Sequence, residues 1–212
     1  MGNTLDAGGG TGYLSSYLLK KIPASSITIV DASQNMLAIA RERIPDAKLI
    51  NKSIESFCLT NTLKFDTIIA RQIFHYVDDV DIVLNLLKEQ LSNHGLFYVG
   101  QFVVCDDEAD IWHKNLIQKI STNRKRSFTL NGFQNIFESN GFRILECCTE
   151  DYEENIRDFY TRRTNEDLQY NVLLKSTTNS LNSKISKKMH IKLQDNNLFF
   201  TVQFCHLLLE QK

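Results

Sequence analysis

The chain has nine glycines, and four of them fall between Gly8 and Gly12. The surrounding segment reads Asn3-Thr4-Leu5-Asp6-Ala7-Gly8-Gly9-Gly10-Thr11-Gly12-Tyr13-Leu14. A short β-prone piece runs into a glycine loop, and an amphipathic helix follows. Leu14, Leu18 and Ile22 share one face of that helix with Tyr17 beside them, and Pro23 marks its end. Residues without a Cβ let the backbone approach a ligand closely and adopt φ > 0. The helix behind the loop presents unpaired N–H groups. A strand, glycine loop and helix in this order read as the first unit of an α/β fold with a ligand over the loop; a tight turn without a ligand is the alternative.

The spacing narrows the ligand. A P-loop requires Gly-Lys-Ser/Thr after its spacer, and the chain has none. The dinucleotide fingerprint requires glycine at i, i+2 and i+5. Counted from Gly8 the third position is Tyr13, and counted from Gly10 it is Ser15. The pattern present is Asp-x-Gly-x-Gly-x-Gly, carried by Asp6, Gly8, Gly10 and Gly12. A second β-prone piece, Ile27-Thr28-Ile29-Val30-Asp31, ends on an acid 19 residues after Gly12. An acid at the end of the second strand can accept both hydroxyls of a ribose; a helix-capping role is the alternative. Ser33 then reads as an N-cap, and Met36, Leu37, Ala40 and Ile44 form an apolar stripe ended by Pro45.

Composition excludes other classes. Apolar residues make up 42 % and charged residues 23 %, with a net charge of −1, which is ordinary for a globular protein and argues against a dedicated nucleic-acid or membrane-surface binder. No apolar run reaches the roughly 18 residues of a membrane span, and the start lacks the regions of a signal peptide. The five cysteines, Cys58, Cys105, Cys147, Cys148 and Cys205, form no disulfide framework and no C-x-x-C. This favours a reducing, cytoplasmic setting and argues against a structural metal site. Cys147 and Cys148 are adjacent on a strand, so they point to opposite faces and are poorly placed to chelate one atom.

With these residues in view, the chain resembles the class I S-adenosylmethionine-dependent methyltransferases of small-molecule type. The resemblance rests on Leu5 to Gly12 and on Val30-Asp31-Ala32-Ser33-Gln34-Asn35-Met36-Leu37. It continues through Phe65 to Ala70 as the fourth strand, Phe74-His75-Tyr76-Val77-Asp78-Asp79 after it, Leu91 to Val99 into the fifth strand, and Thr129 to Phe142 before the sixth. It covers residues 3–150 in the family's order. It implies a doubly wound, Rossmann-like fold: a seven-stranded, mostly parallel sheet with an antiparallel last strand and a helical insertion before it. It also implies S-adenosylmethionine as cofactor. Gly8, Gly10 and Gly12 would approach the cofactor's methionine part, Asp6 its ammonium, Asp31 the ribose, and Ala32 and Met36 the adenine. Arg71 would meet the cofactor carboxylate or the substrate. Ser53 and Ile54 join the cofactor set, Ser53 standing where the family usually has an acid. The family also has a helix before the first strand, and here the chain begins three to five residues before that strand. Either the sequence is truncated or another element covers the cofactor: a second subunit, as in a homodimer, a partner, or residues 151–195.

The remaining chain divides accordingly. Residues 1–150 and 196–212 form the expected core. Residues 106–126, read as a helix and loop, and 151–195, read as largely helical, are insertions expected to build a substrate cap beyond the carboxyl ends of the strands. Asp78 or Asp79 caps a helix carrying Val80, Val83, Leu84, Leu87 and Leu91. Gly95–Val104 and Phe142–Thr149 read as strands, Thr129 caps a helix with Leu130, Phe133 and Phe137 inward, and Leu198–Leu209 is the last strand. Residues 168–192 carry five lysines and no acid, and Lys119, Arg124, Lys125 and Arg126 cluster; both read as solvated faces, with RNA phosphates or an anionic carrier as the alternative. The methyl transfer needs an aligned nucleophile and, for some acceptors, a base. His75 is the first candidate base, a loop-bonding structural histidine being the alternative, with Arg71 beside it. Gln72, Tyr13, Tyr17, Trp112 and His113 are weaker candidates. The reading is an enzyme that methylates an O, N or C atom of a small molecule. RNA or protein methylation, or cofactor and partner binding without turnover, are the alternatives.

Overall fold

The structure is a computed structural model that describes residues 2–21, 26–120, 123–157, 174, 181, 183–195 and 197–212. It falls into two compact units. The first comprises residues 1–101, 134–148 and 206–212, and the second residues 102–133 and 149–205. The second contains both expected insertions and extends past their limits.

In the first unit β1 (Asn3–Ala7), β2 (Ser26–Asp31), β3 (Lys48–Asn51), β4 (Phe65–Arg71) and the start of β5 (Leu91–Val103) alternate with α1 (Tyr13–Lys21), α2 (Gln34–Arg43), α3 (Ile54–Cys58) and α4 (Val80–Gln90). β1 pairs in parallel with β2 and β4, β2 with β3, and β4 with β5. The sheet order is β3-β2-β1-β4-β5-β8-β6, where β6 is Phe142–Asn155 and β8 is Asn197–Gln211. This is the expected doubly wound arrangement with an antiparallel last long strand. Strand count differs, because a three-residue β7 (Lys192–Gln194) adds an antiparallel partner to β8 and makes eight.

Burial explains the parallel core. Leu5 and Ala7 of β1, Ile29 and Val30 of β2, and Ile68, Ile69 and Ala70 of β4 are all within 1 % of full burial. Such runs suit strands covered on both faces. The helices present stripes to them: Leu37, Ala40 and Ile44 from the α2 segment, and Val80, Val83, Leu84 and Leu87 from α4. Their caps are as read. Ser33 accepts from Met36 N–H at 3.4 Å, and Asp79 accepts from Ile82 N–H at 3.0 Å. Phe137 of α6 (Leu130–Ser139) meets Phe74 edge-on at 5.5 Å, and Phe142 packs on Phe97 at 5.5 Å. Two residues placed with these stripes turn outward. Tyr17 and Met36 are 54 % and 45 % exposed, and the buried residue of α1 is Ser15. Ile22 and Pro23 lie outside the described residues.

The second unit has its own core, formed by α5 (Asp107–Ile120), α7 (Lys184–Lys188) and the inner residues of β8: Ala109, Leu116, Ile185, Leu198, Phe200 and Val202. Thr129 caps α6, its hydroxyl accepting from Gly132 N–H at 3.1 Å. Residues 151–155 are not helical. They extend β6, on which Glu150, Asp151 and Glu153 are exposed, as an edge strand tolerates. Residues 192–194 are strand as well. Most of the helical expectation for 158–180 lies outside the described residues. Among the described residues no helix is long and apolar enough to cross a membrane.

Candidate active site

The chemistry-bearing residues of the first unit gather at the carboxyl ends of β1, β2 and β4. Gly8 and Gly9 donate to Val30 O at 2.7 and 3.2 Å, which ties the glycine loop to β2. Gly8, Gly10 and Gly12 all adopt φ between 55° and 70°, and Gly9 does not. The alternate glycines picked out by the motif are therefore the left-handed ones. At Gly10 the space a Cβ would fill is open, its nearest neighbour being Asp31 Oδ2 at 3.9 Å. A ligand could therefore approach the backbone of the loop closely at this point. At Gly8 a Cβ would stand 2.4 Å from Ile73 Cγ2, so the loop is packed against the turn after β4.

Asp31 joins the two halves of the site. Its Oδ2 accepts from Gly10 N–H at 2.8 Å and its Oδ1 from Ser33 N–H at 2.8 Å. Each oxygen keeps a further lone pair for a ligand hydroxyl. Asp6 sits behind the loop, fully buried, and accepts from the Ser15 hydroxyl at 2.5 Å. Burial pushes its pKa up to about 6. The Ser15 hydrogen bond opposes this, the Asp31 charge adds to it, and Arg71 opposes it. A ligand cation beside Asp6 would be held by the charge it helps to create. Arg71 is exposed at the tip of β4. Next to it Gln72 takes φ 59°, a conformation costly for a residue with a side chain. Its N–H donates to Gly100 O at 2.8 Å. Its amide oxygen and nitrogen are buried without a hydrogen bond among the described residues.

The other named residues have varied places. Ile54 is buried, its Cδ1 3.8 Å from the Cβ position of Gly8. Ser53 is the N-cap of α3, its hydroxyl accepting from Ser56 N–H at 3.2 Å. Ala32 and Met36 are exposed beyond Asp31. Gly12 serves packing, since a Cβ there would lie 3.2 Å from Ile29 Cδ1 and 3.3 Å from Ile44 Cδ1. His75 is buried, with Nδ1 3.0 Å from Gln101 Nε2 and its ring 4.0 Å from that of Tyr76. Tyr13 is 66 % exposed under Arg43. In the second unit, Trp112 and His113 pack on Phe200 as core residues. His113 is pushed down to about 3 by burial and by Arg124. Arg124 itself is buried, so the basic cluster is not one solvated face.

Three supports escaped the sequence reading. Asn51 Nδ2 donates to Asp31 O at 3.0 Å and Ala32 O at 2.9 Å, fixing the turn after β2. Arg43 Nη1 donates to Thr11 O at 2.6 Å and Thr11 Oγ1 at 2.8 Å, pinning the glycine loop from α2. Gln101 holds His75. A cavity of ≈ 510 Å³ elsewhere in the first unit, lined by Cys58, Leu59, Lys64 and Gln90 among others, contains none of these residues.

A sheet of this order, with a glycine loop after β1 and an acid at the tip of β2, is the doubly wound, Rossmann-like architecture. Residues 5–97 match the family described as Methyltransferase domain. The chain is 26 % identical over 167 residues to a malonyl-[acyl-carrier protein] O-methyltransferase of Bacillus cytotoxicus, covering 74 % of this chain and 58 % of that protein. It is 33 % identical over 100 residues to the protein of the same name from Bacillus cereus, covering 46 % of this chain and 36 % of that one. The chain thus spans less than two thirds of the length of these curated relatives. In fold it is similar to the YcgJ protein of Bacillus subtilis, with TM-score 0.82 and 16 % identity, covering 99 % of this chain and 92 % of the other. A Geobacter sulfurreducens methyltransferase solved with S-adenosyl-L-homocysteine gives TM-score 0.61 and 12 % identity, covering 99 % and 84 %.

Proposed function

We propose that the protein is an S-adenosylmethionine-dependent methyltransferase whose acceptor is the free carboxylate of a small acyl group carried as a thioester. The observation that carries the cofactor reading is the Gly10 to Asp31 contact beside the open space at Gly10, which joins the loop for the cofactor's methionine part to the acid for its ribose. Asp6 faces the ammonium side, and Ile54, Ala32 and Met36 bound the adenine side. Ser53, where a carboxylate would otherwise stand on that side, is committed to capping its helix. When bound, the cofactor supplies an electrophilic methyl group on a sulfonium. The acceptor reading draws on the malonyl carrier methyltransferases to which the chain is similar. It also fits the chemistry: a carboxylate is already ionised at neutral pH, so positioning is the main requirement. His75 and Arg71 are the residues assigned to that task at the tip of β4. Residues 106–126 and 151–195 are assigned to acceptor selection.

Titration calorimetry with S-adenosylmethionine and S-adenosylhomocysteine tests the cofactor reading. The expected result is binding that Asp31→Ala weakens at least about 30-fold, because hydrogen bonds to a charged group contribute ~1.5–3 kcal/mol each. Binding that is indifferent to Asp31→Ala overturns the site. A methyl-ester product from a malonyl thioester, detected by mass spectrometry, tests the acceptor. Transfer only to an amine or to RNA would replace it.

A further inference from the structure

His75 and Gln101 form a buried polar pair, 1 % and 2 % exposed, at the carboxyl ends of β4 and β5. Gln101 Nε2 lies 3.0 Å from His75 Nδ1. An amide nitrogen only donates hydrogen bonds. Nδ1 is therefore the acceptor in this contact, and the proton of the neutral ring sits on Nε2. The orientation of the amide leaves Gln101 Oε1 buried without a hydrogen bond among the described residues. Such an orphan oxygen is unfavourable, and here it accompanies a nitrogen held toward the ring. The Tyr76 ring, 4.0 Å away between centroids, limits rotation of the imidazole. One residue past β4, Gln72 adds a strained backbone and a second buried amide without a hydrogen bond among the described residues. Polar groups left unsatisfied together at strand tips are a mark of a ligand site.

We propose that Gln101 is a positioning residue that holds His75 in its Nε2–H form, so that the ring offers the methyl acceptor a hydrogen-bond donor and not a base. The proposal rests on the carboxylate-acceptor reading above. A carboxylate has no proton to remove, and a donor to one oxygen would leave the other free to form its bond to the methyl carbon as the methyl–sulfur bond breaks, the electron pair of that bond leaving with sulfur as a neutral thioether. A hydroxyl or ammonium acceptor would instead need the Nε2 lone pair, which this tautomer does not provide. The role expected for His75 from its place in the sequence is thereby reversed, by a partner 26 residues further along the chain.

The test begins on the unmodified protein with ¹⁵N-labelled histidine. A spectrum of His75→Gln assigns the His75 resonances among the five histidines. The neutral ring should show a protonated Nε2 and an unprotonated Nδ1. A proton on Nδ1 would overturn the proposal, because the amide would then present its oxygen. Gln101→Glu replaces the donor by an acceptor. Above the pH at which the ring loses its second proton, it should move the remaining proton to Nδ1. Methyl transfer to malonyl-N-acetylcysteamine should then fall about 10- to 100-fold in kcat, the loss expected for a donor to a charged group, with the Kd for S-adenosylmethionine unchanged. Gln101→Met keeps length and neutrality in case the buried charge prevents folding, and should lose less than the Glu variant. A shifted tautomer with unchanged kcat overturns the donor role. Wild-type protein that shows Nε2–H yet never methylates the thioester, while methylating an amine, removes the acceptor reading alone and leaves the tautomer assignment standing.

Discussion

A single residue, Asp6, sets stability against cofactor capture. Its pKa stands at about 6 in the folded chain against an ordinary 3.8. At a pH below about 3.8 the carboxyl is protonated in both folded and unfolded chains and contributes no difference. Between 3.8 and 6 the unfolded chain releases a proton that the folded chain keeps. Stability therefore declines as pH rises through that window, by roughly 3 kcal/mol once complete. Asp6→Asn should raise the urea midpoint above about pH 6 and leave it unchanged near pH 3.5. On the proposed reading, in which Asp6 faces the cofactor's ammonium, the same variant should weaken S-adenosylmethionine binding about tenfold or more. Paired urea melts and calorimetry check this. A variant less stable than wild type at pH 7 would show that burial is not the dominant influence on this carboxyl.

At the scale of the element, the proposed cofactor reading divides the glycine loop into glycines that serve the fold and one, Gly10, that faces the ligand. Gly10→Ala faces open space, and its φ of 55° carries a strain of ~1–2 kcal/mol. It should cost a few degrees in Tm and more than tenfold in cofactor affinity, since the methyl enters that space. Gly8→Ala meets Ile73 Cγ2 at 2.4 Å and should lose more Tm, with Ile73→Ala partly restoring it. Equal losses of Tm would refute the division. Arg43→Ala should raise the cofactor KM about three- to tenfold with little change in kcat, because Arg43 touches only Thr11 of the loop. These elements were legible because their signals are local: spacing of glycines, an acid at a strand end, a serine or aspartate before a helix. Asn51 and Gln101 were not, since sheet register brings them to partners 19 to 26 residues away. The outward turn of Tyr17 was not legible because periodicity defines a stripe but not its exact edges. Here Asp6 draws Ser15 inward and Tyr17 outward.

Across the whole molecule, acid acts on the two units in opposite senses. In the first, protonated Asp6 is the form that burial favours. In the second, His113 is buried against Phe200 with a pKa pushed down from 6.5 to about 3, by burial first and by the Arg124 charge second. Below about pH 6.5 the unfolded chain takes up a proton on this ring and the folded chain does not. The stability of the second unit thus falls as pH drops from 6.5 toward 3, by an amount on the order of 5 kcal/mol. That exceeds the Asp6 contribution and approaches the whole stability of a small unit. The one tryptophan, Trp112, lies in the second unit with its ring 5.5 Å from Phe200, so its fluorescence reports that core. On acid titration the Trp112 transition should precede the loss of far-ultraviolet ellipticity. His113→Leu, which removes the ionisable ring from an apolar setting, should move the Trp112 transition down by about one pH unit and leave the later one in place. Coincident transitions that the variant does not move would mean that the units unfold as one and that His113 does not govern their acid stability.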